Sequence, residues 1–413
     1  MVALLTFHAL FSSTHFLPAR CFPLTAGRGF SLRIVIDPRY LDGSYSGIAT
    51  YSRRLIENIA AVDEENEYFV FVRPSFRERL EVGPNFELLT YKPRPISWQS
   101  YFELHRFVNQ IKPDLLHSLA PHAPVFFRGP LIVTVHDMQP FTDPDFSAKR
   151  FRLFQAAYNL FYRWAYPTTI AQAEWVLCDS YATREDVKRI LPGAHDKLVV
   201  VRPGLDQDPE NEPTEGLVES IQQKVGVTGR YFLYYGSTRP NKNLAALVRA
   251  FAGALSLDEE EGEPQLTDVK LVLVVRKDRF FRDVSRAIHQ TRLGNRVVVT
   301  QPLKTSEQEA LLSGALAFAF PTKFEGFGFP PLEAMRAGVP VLGGDSGSLP
   351  EVLEDAALLA DPDSIEDIAE KMLQLGRDEE LRRNLIDRGK KHIEQFDWRS
   401  TASFITEIYT RLI

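Results

Sequence analysis

Two cysteines in 413 residues, Cys21 and Cys178, are too few for a disulfide framework and point to a reducing, cytoplasmic compartment. Cys178 closes the apolar run WVLC, where it reads as a small buried side chain. The chain also lacks an excess of positive charge. With 48 Lys and Arg against 54 Asp and Glu, its net charge is −6, which argues against general nucleic-acid binding through a basic domain. A local basic site for a phosphorylated ligand is compatible with that balance. No apolar run reaches the roughly 18–20 residues that cross a bilayer. No G-x-G-x-x-G follows the first strand-like segment, which counts against a dinucleotide-dependent oxidoreductase.

What is present is a 44% hydrophobic content, enough to give two domains a core each. Residues 1–31 contain no acid, include Arg20 and Arg28, and carry the apolar VALLTFHALF. They have no basic cluster ahead of that run and no clean small-residue cleavage site, so they read as an extension outside the fold, disordered or targeting. From LRIVID (Leu32–Asp37) onward, β-branched runs alternate with helical periodicity: YFVFV, FELLTY, PDLLHS, LIVTV, EWVLCDS and LVVVRPGL are strand-like, and IATYSRRLIENIAAV, WQSYFELHRFVNQI and TREDVKRIL are helical. This alternation predicts a doubly wound parallel sheet over residues 32–205. Asp206–Gly216 is acidic, proline-bearing and aperiodic, and residues 206–227 are read as linker and the start of a second domain. A second Rossmann-like domain is expected over 228–395, with an amphipathic helix over 396–413. DEEEGEP (Asp258–Pro264) reads as a solvated surface insertion.

In open α/β sheets, ligands bind beyond the carboxyl ends of strands, and four stretches lie at that address. After the strand-like LAFAF comes KFEGFGFPPLE, where the chain turns through Gly326 and Gly328 and Pro330-Pro331 opens a helix. Free N–H groups and the helix dipole there suit phosphate. Glu333, expected in the first helical turn, and Glu325, on the other lip, are acceptor-only groups that suit sugar hydroxyls instead. A ligand with phosphates in its middle and sugars at both ends, a nucleotide sugar, uses both features. Taken alone, Glu333 would equally complement the helix dipole and Glu325 would be a solvated loop acid. In YYGSTRPNKNL, Gly236 and Ser237 form the turn, and Arg239 and Lys242 are positioned to hold a diphosphate whose charge grows as it leaves. His136 emerges from LIVTV with Asp137 beside it, and Gly47 lets the loop GSYSG approach a ligand closely. The competing readings are a glycosidase using Glu325 and Glu333 as its carboxylate pair, and a nucleotide-sugar-binding subunit without catalysis. The basic, aromatic Ala148–Tyr166 suits either core packing and cleft lining or contact with a membrane surface.

These motifs resemble the GT-B glycosyltransferases of family 4, whose E-x7-E pattern matches Glu325 to Glu333. GSTRPNKNL, LPEVLEDAALLADP, FDWRSTASF, SGIATYSRRLIENI, TVHDMQPF and VLCDSYATRED are similar as well, so the resemblance runs from about residue 32 to the end. It implies two Rossmann-like domains facing a cleft, the last helix crossing back to the first domain, and retaining transfer of a hexose from a GDP- or UDP-sugar to a glycan or lipid-linked acceptor. The implied setting is polysaccharide biosynthesis. No metal or other cofactor is required, and a donor phosphate oxygen helps deprotonate the acceptor hydroxyl. The DPD at Asp143–Asp145 is accordingly a turn. Residue by residue, the resemblance assigns the ribose to Glu333, hydroxyls of the transferred sugar to Glu325, and the sugar and distal phosphate to the backbone of Phe327, Gly328 and Phe329. Lys242 and Arg239 take the diphosphate, His136 lies near the reacting sugar, and Gly47 covers the phosphates. Arg276 and Gln301 stand where many members have base-contacting glycines. The first-domain motifs lean toward mannose from GDP-mannose.

Overall fold

The computed structural model describes residues 31–41, 47–74, 76, 80–94, 97–142, 152–206 and 213–413. Residues 1–30, much of the GSYSG loop and Asp143–Asp145 lie outside this set. The first half forms a seven-stranded, all-parallel sheet: β1 (Arg33–Asp37), β2 (Glu67–Val72), β3 (Phe86–Thr90), β4 (Leu115–Ser118), β5 (Leu131–Val135), β6 (Trp175–Cys178) and β7 (Leu198–Val200), in the order β3-β2-β1-β4-β5-β6-β7. The second half forms a six-stranded parallel sheet: β8 (Tyr231–Gly236), β9 (Lys270–Val275), β10 (Val297–Thr300), β11 (Ala317–Phe320), β12 (Val341–Gly344) and β13 (Leu358–Ala360), in the order β10-β9-β8-β11-β12-β13. Helices cover both faces, which is why central strands such as LIVTV and AFAF are buried end to end and read as continuous apolar runs.

Strand order reverses between β1 and β4 in the first sheet and between β8 and β11 in the second. At such a point the connections on either side diverge and leave a crevice beyond the carboxyl ends. In the second sheet that crevice lies just past Gly236 and Phe320, where the 236–243 and 321–328 loops begin.

Two expectations are corrected, and one element is added to them. A helix, Glu215–Val225, lies in the part of residues 206–227 read as the start of the second domain; Thr214 caps it and Gly226, at φ 82°, ends it. Its one buried side chain, Ile221, gives almost no apolar periodicity to detect. Asp258 of DEEEGEP is not solvated: at 2% exposure it accepts the Leu266 N–H and the Arg377 Nε–H, each at 2.6 Å. Glu333 lies beyond the first helical turn, because the helix Phe329–Arg336 begins before both prolines. Gly328, in the left-handed region at φ 104°, precedes it. Cys178 is fully buried, and burial raises its thiol pKa well above the ordinary value.

The helix Trp398–Leu412 packs on the first-domain helix Gly47–Val62, burying Trp398, Ala402, Ile405 and Tyr409 in the first-domain core. Tyr409 O–H and Thr134 Oγ bracket the imidazole of His117 at 2.6 and 3.0 Å, and burial lowers the His117 pKa to about 3. The two chain crossings between the halves touch: Leu205 N–H donates to the Phe396 carbonyl at 3.0 Å, and a Cβ on Gly204 would lie 2.2 Å from Trp398 N.

Candidate active site

The loop after β11 is held from beneath by the chain after β12. Ser348 Oγ–H lies within hydrogen-bonding distance of the carbonyls of Phe327 (3.0 Å) and Glu325 (3.1 Å). Gly347, at φ 62°, sits so close that a Cβ there would be 3.1 Å from the Glu325 backbone. From the other side, Asn241 Nδ2–H donates to the Phe324 carbonyl at 3.1 Å, and Lys323 N–H donates to the Asn241 carbonyl at 2.8 Å. These bonds tie the 236–243 loop to the 321–328 loop and bring Lys242 to Glu325, whose side chains form an ion pair. The Lys242 ammonium also lies 5.3 Å from the centre of the Phe320 ring, a cation–π contact. Gly236 (φ 147°) and Ser237 stand exposed at the end of β8, and the Tyr234 hydroxyl donates to the Ser237 carbonyl at 2.8 Å.

Glu333 keeps a separate set of partners. Tyr235 O–H donates to Glu333 Oε2 at 2.5 Å. Burial raises the Glu333 pKa above the ordinary carboxylate value, although the Tyr235 bond and the Arg336 charge oppose the rise. Pro330 and Pro331 have no N–H to give, so the amides open to an anion belong to residues 326–328 ahead of the helix and to Phe329, its first residue.

The first domain meets this loop directly. A Cβ on Gly326 would lie 1.9 Å from the His136 carbonyl oxygen, and one on Gly47 would be 3.7 Å from Phe329 Cδ2. Ser180 Oγ–H donates to the Gly326 carbonyl at 2.7 Å, and Thr183 Oγ–H is within hydrogen-bonding distance of the same oxygen at 3.3 Å. Glu351 of the second domain accepts the Ala182 N–H at 2.9 Å, at the N-terminus of the helix Tyr181–Ile190. Gly47, His136, Lys242, Glu325 and residues 326–329 therefore converge.

His136 bonds through both ring nitrogens: Nδ1 to Asp179 Oδ2 at 2.6 Å and Nε2 to the Leu119 carbonyl at 2.9 Å. Two acceptors are satisfied together only by the doubly protonated ring. Burial pushes the imidazole toward neutrality, but the Asp179 charge and hydrogen bond and the Leu119 carbonyl outweigh it and raise the His136 pKa. Burial raises the Asp137 pKa, and the Glu325 charge adds to the rise. Arg239 opposes it as a nearby positive charge.

Sequence reasoning did not single out Asp179, Tyr235, Ser180, Thr183 or Glu351. Asp179 directly follows β6, the neighbour of β5 from which His136 emerges, so an acid at the end of the adjacent strand was the available signal. Arg276 and Gln301 follow β9 and β10 and are exposed. Among the described residues, no helix is long and apolar enough to cross a membrane.

Two family models match the chain in succession: Glycosyltransferase Family 4 over residues 45–209 and Glycosyl transferases group 1 over 219–392. The O-antigen chain mannosyltransferase B of Escherichia coli is 24% identical over 399 residues, covering 92% of this chain and all of that one. The O-antigen chain mannosyltransferase RfbU of Salmonella typhimurium is 24% identical, covering 66% and 69% respectively. Among solved structures, the Anabaena HepE protein in complex with UDP-glucose superposes with a TM-score of 0.69 at 19% identity, covering 92% of this chain and all of that one. Sucrose-phosphate synthase from Thermosynechococcus elongatus does so with a TM-score of 0.69 at 18% identity, covering 92% and 99%. The chain belongs to the group 1, family 4 glycosyltransferases and carries their GT-B fold.

Proposed function

We propose that this glycosyltransferase is a retaining mannosyltransferase that moves mannose from GDP-mannose to a glycan or lipid-linked acceptor in polysaccharide biosynthesis. The observation that carries the reading is the convergence of Lys242, Glu325, the 326–329 amides and His136 from two domains on one point. Relatives named as mannosyltransferases support the choice of sugar.

In this reading the diphosphate takes the Lys242 ammonium from Glu325, which frees the carboxylate for hydroxyls of the transferred sugar. Lys242 and Arg239 stabilise the charge that builds on the leaving diphosphate, and the amides of Phe327, Gly328 and Phe329 meet the distal phosphate. Gly47 lets the first domain close over the phosphates, with Gly236 and Ser237 forming the opposite rim. Glu333 accepts from the ribose hydroxyls. His136, held as a cation by Asp179, faces the reacting sugar, and a donor phosphate oxygen takes the acceptor proton on the same face. The protein then contributes positioning and charge stabilisation rather than a general-base carboxylate or a metal. Leu160 and Trp164, exposed on the helix Arg152–Gln172, offer peripheral contact with a membrane bearing a lipid-linked acceptor.

Thermal-shift titration with GDP, UDP and ADP, followed by turnover of the matching sugar nucleotides, tests the reading. GDP is expected to raise the melting temperature most, and the Glu325→Ala variant to bind GDP without turning over GDP-mannose. No shift with any nucleotide would sink the donor site. Equal turnover by Glu325→Ala would sink the role given to Glu325.

A further inference from the structure

A cavity of about 610 Å³ lies between the two domains, within the size range of sites for disaccharide-scale ligands. It is distinct from the Glu333 side of the crevice. The β8-to-β9 and β11-to-β12 connections leave the switch point in opposite directions, and right-handed crossovers then put their helices on opposite faces of the sheet. The cavity is at the starts of the helices Leu244–Glu260 and Phe281–Thr291, on one face, and the Glu333 helix is on the other.

Its walls adjoin the chemistry. Gln139 lies two residues past Asp137, Asn241 directly precedes Lys242, and Phe324 directly precedes Glu325; all three line the cavity. Their chemistry suits carbohydrate. Phe324 and Phe280 offer ring faces for the C–H surface of a sugar, and Asp283 stands at the rim as an acceptor. Gln139 and Asn241 bring planar amides to the wall. Among the described residues Gln139 Nε2 is buried without a hydrogen-bond partner, and a small rotation of that side chain gives it a hydroxyl acceptor on a glycan, while Asn241 Nδ2–H stays on the Phe324 carbonyl.

We propose that this cavity is a glycan subsite that holds the acceptor sugar next to the one being glycosylated, so that the enzyme extends an oligosaccharide of mannose rather than a single sugar. The inference rests on the mannosyltransferase reading. Its subsite is built from both domains.

The test uses the full chain with GDP added and saturation-transfer NMR, comparing mannotriose with methyl α-mannoside. Wild type is expected to bind mannotriose at least tenfold more tightly. Ala245→Trp and Asp283→Trp, at two lining positions outside the donor residues, are each expected to lose that preference while keeping the melting temperature and its rise with GDP. Equal binding of the two sugars, no binding of mannotriose, or tryptophan variants that bind it as wild type does would each overturn the proposal. The GDP-induced shift judges the donor reading separately: a shift without mannotriose binding removes only this inference, and no shift removes both.

Discussion

Gly326→Ala probes the contact on which the site depends. Gly326 is outside the left-handed region that favours glycine, so alanine is conformationally acceptable there and the effect comes from the added methyl. That methyl would begin 1.9 Å from the His136 carbonyl oxygen. Moving out to the roughly 3.3 Å at which carbon and carbonyl oxygen ordinarily rest requires an opening of about 1.4 Å. The opening also stretches the Ser180-to-Gly326 bond, now 2.7 Å. A displacement of about 1 Å in a positioned reacting pair costs on the order of 100-fold in rate, about 2.7 kcal/mol of barrier. The variant is therefore expected to lose about 100-fold in kcat. GDP affinity, set mainly by Lys242, Arg239 and Glu333 of the second domain, is expected to change less than threefold. Steady-state kinetics with GDP-mannose, paired with calorimetric GDP binding, reads both quantities. Wild-type kcat within threefold would refute the claim that this contact sets the geometry of transfer.

Other outcomes follow from individual groups. Because burial raises the Glu333 pKa, GDP affinity is expected to weaken as pH falls toward a value above the ordinary carboxylate pKa of about 4.3, and Glu333→Gln to flatten that dependence in pH-resolved calorimetry. The raised pKa of His136 means that its pairing with Asp179 stabilises the fold fully below the unfolded histidine pKa, near 6.5, and loses that contribution as pH rises through the folded value. Asp179→Asn should accordingly lower the melting temperature most at mildly acidic pH, with the gap closing on the alkaline side, which a melting series across pH checks. Arg377→Ala leaves the Asp258 carboxylate, 2% exposed, with its amide donors alone. The expected loss is about 2–3 kcal/mol, or roughly 5–10 °C by calorimetry, less than for a fully buried pair because the guanidinium is 18% exposed.

Most strands and the glycine turns at their ends were legible because both signals are local: largely apolar runs of about four to six residues, then a turn that only certain residues make; the three-residue strand Leu358–Ala360 was too short to read. What escaped depends on neighbours that topology supplies. His136 was visible at the end of β5, but its charge state is set by Asp179 on β6, 43 residues away, and only the strand order makes them adjacent. Tyr235 looked like an ordinary apolar strand residue until β8 paired with β11 and brought it to Glu333. The prolines at 330 and 331 correctly marked a helix start, yet their missing N–H groups move the available amide donors upstream to 326–329. Asp258 sat in a run of acids whose shared charge suggested solvent, and only the helix Ile365–Arg377 turns one of them into a buried anchor.

The central claim is transfer of mannose from GDP-mannose with its anomeric configuration kept. Proton NMR of the reaction with mannotriose as acceptor measures it directly, through the anomeric signal of the newly linked sugar. The account predicts release of GDP and a new α-linked mannose, matching the α configuration of the donor. A β-linked product, or release of UDP from UDP-glucose while GDP-mannose stays intact, would contradict it.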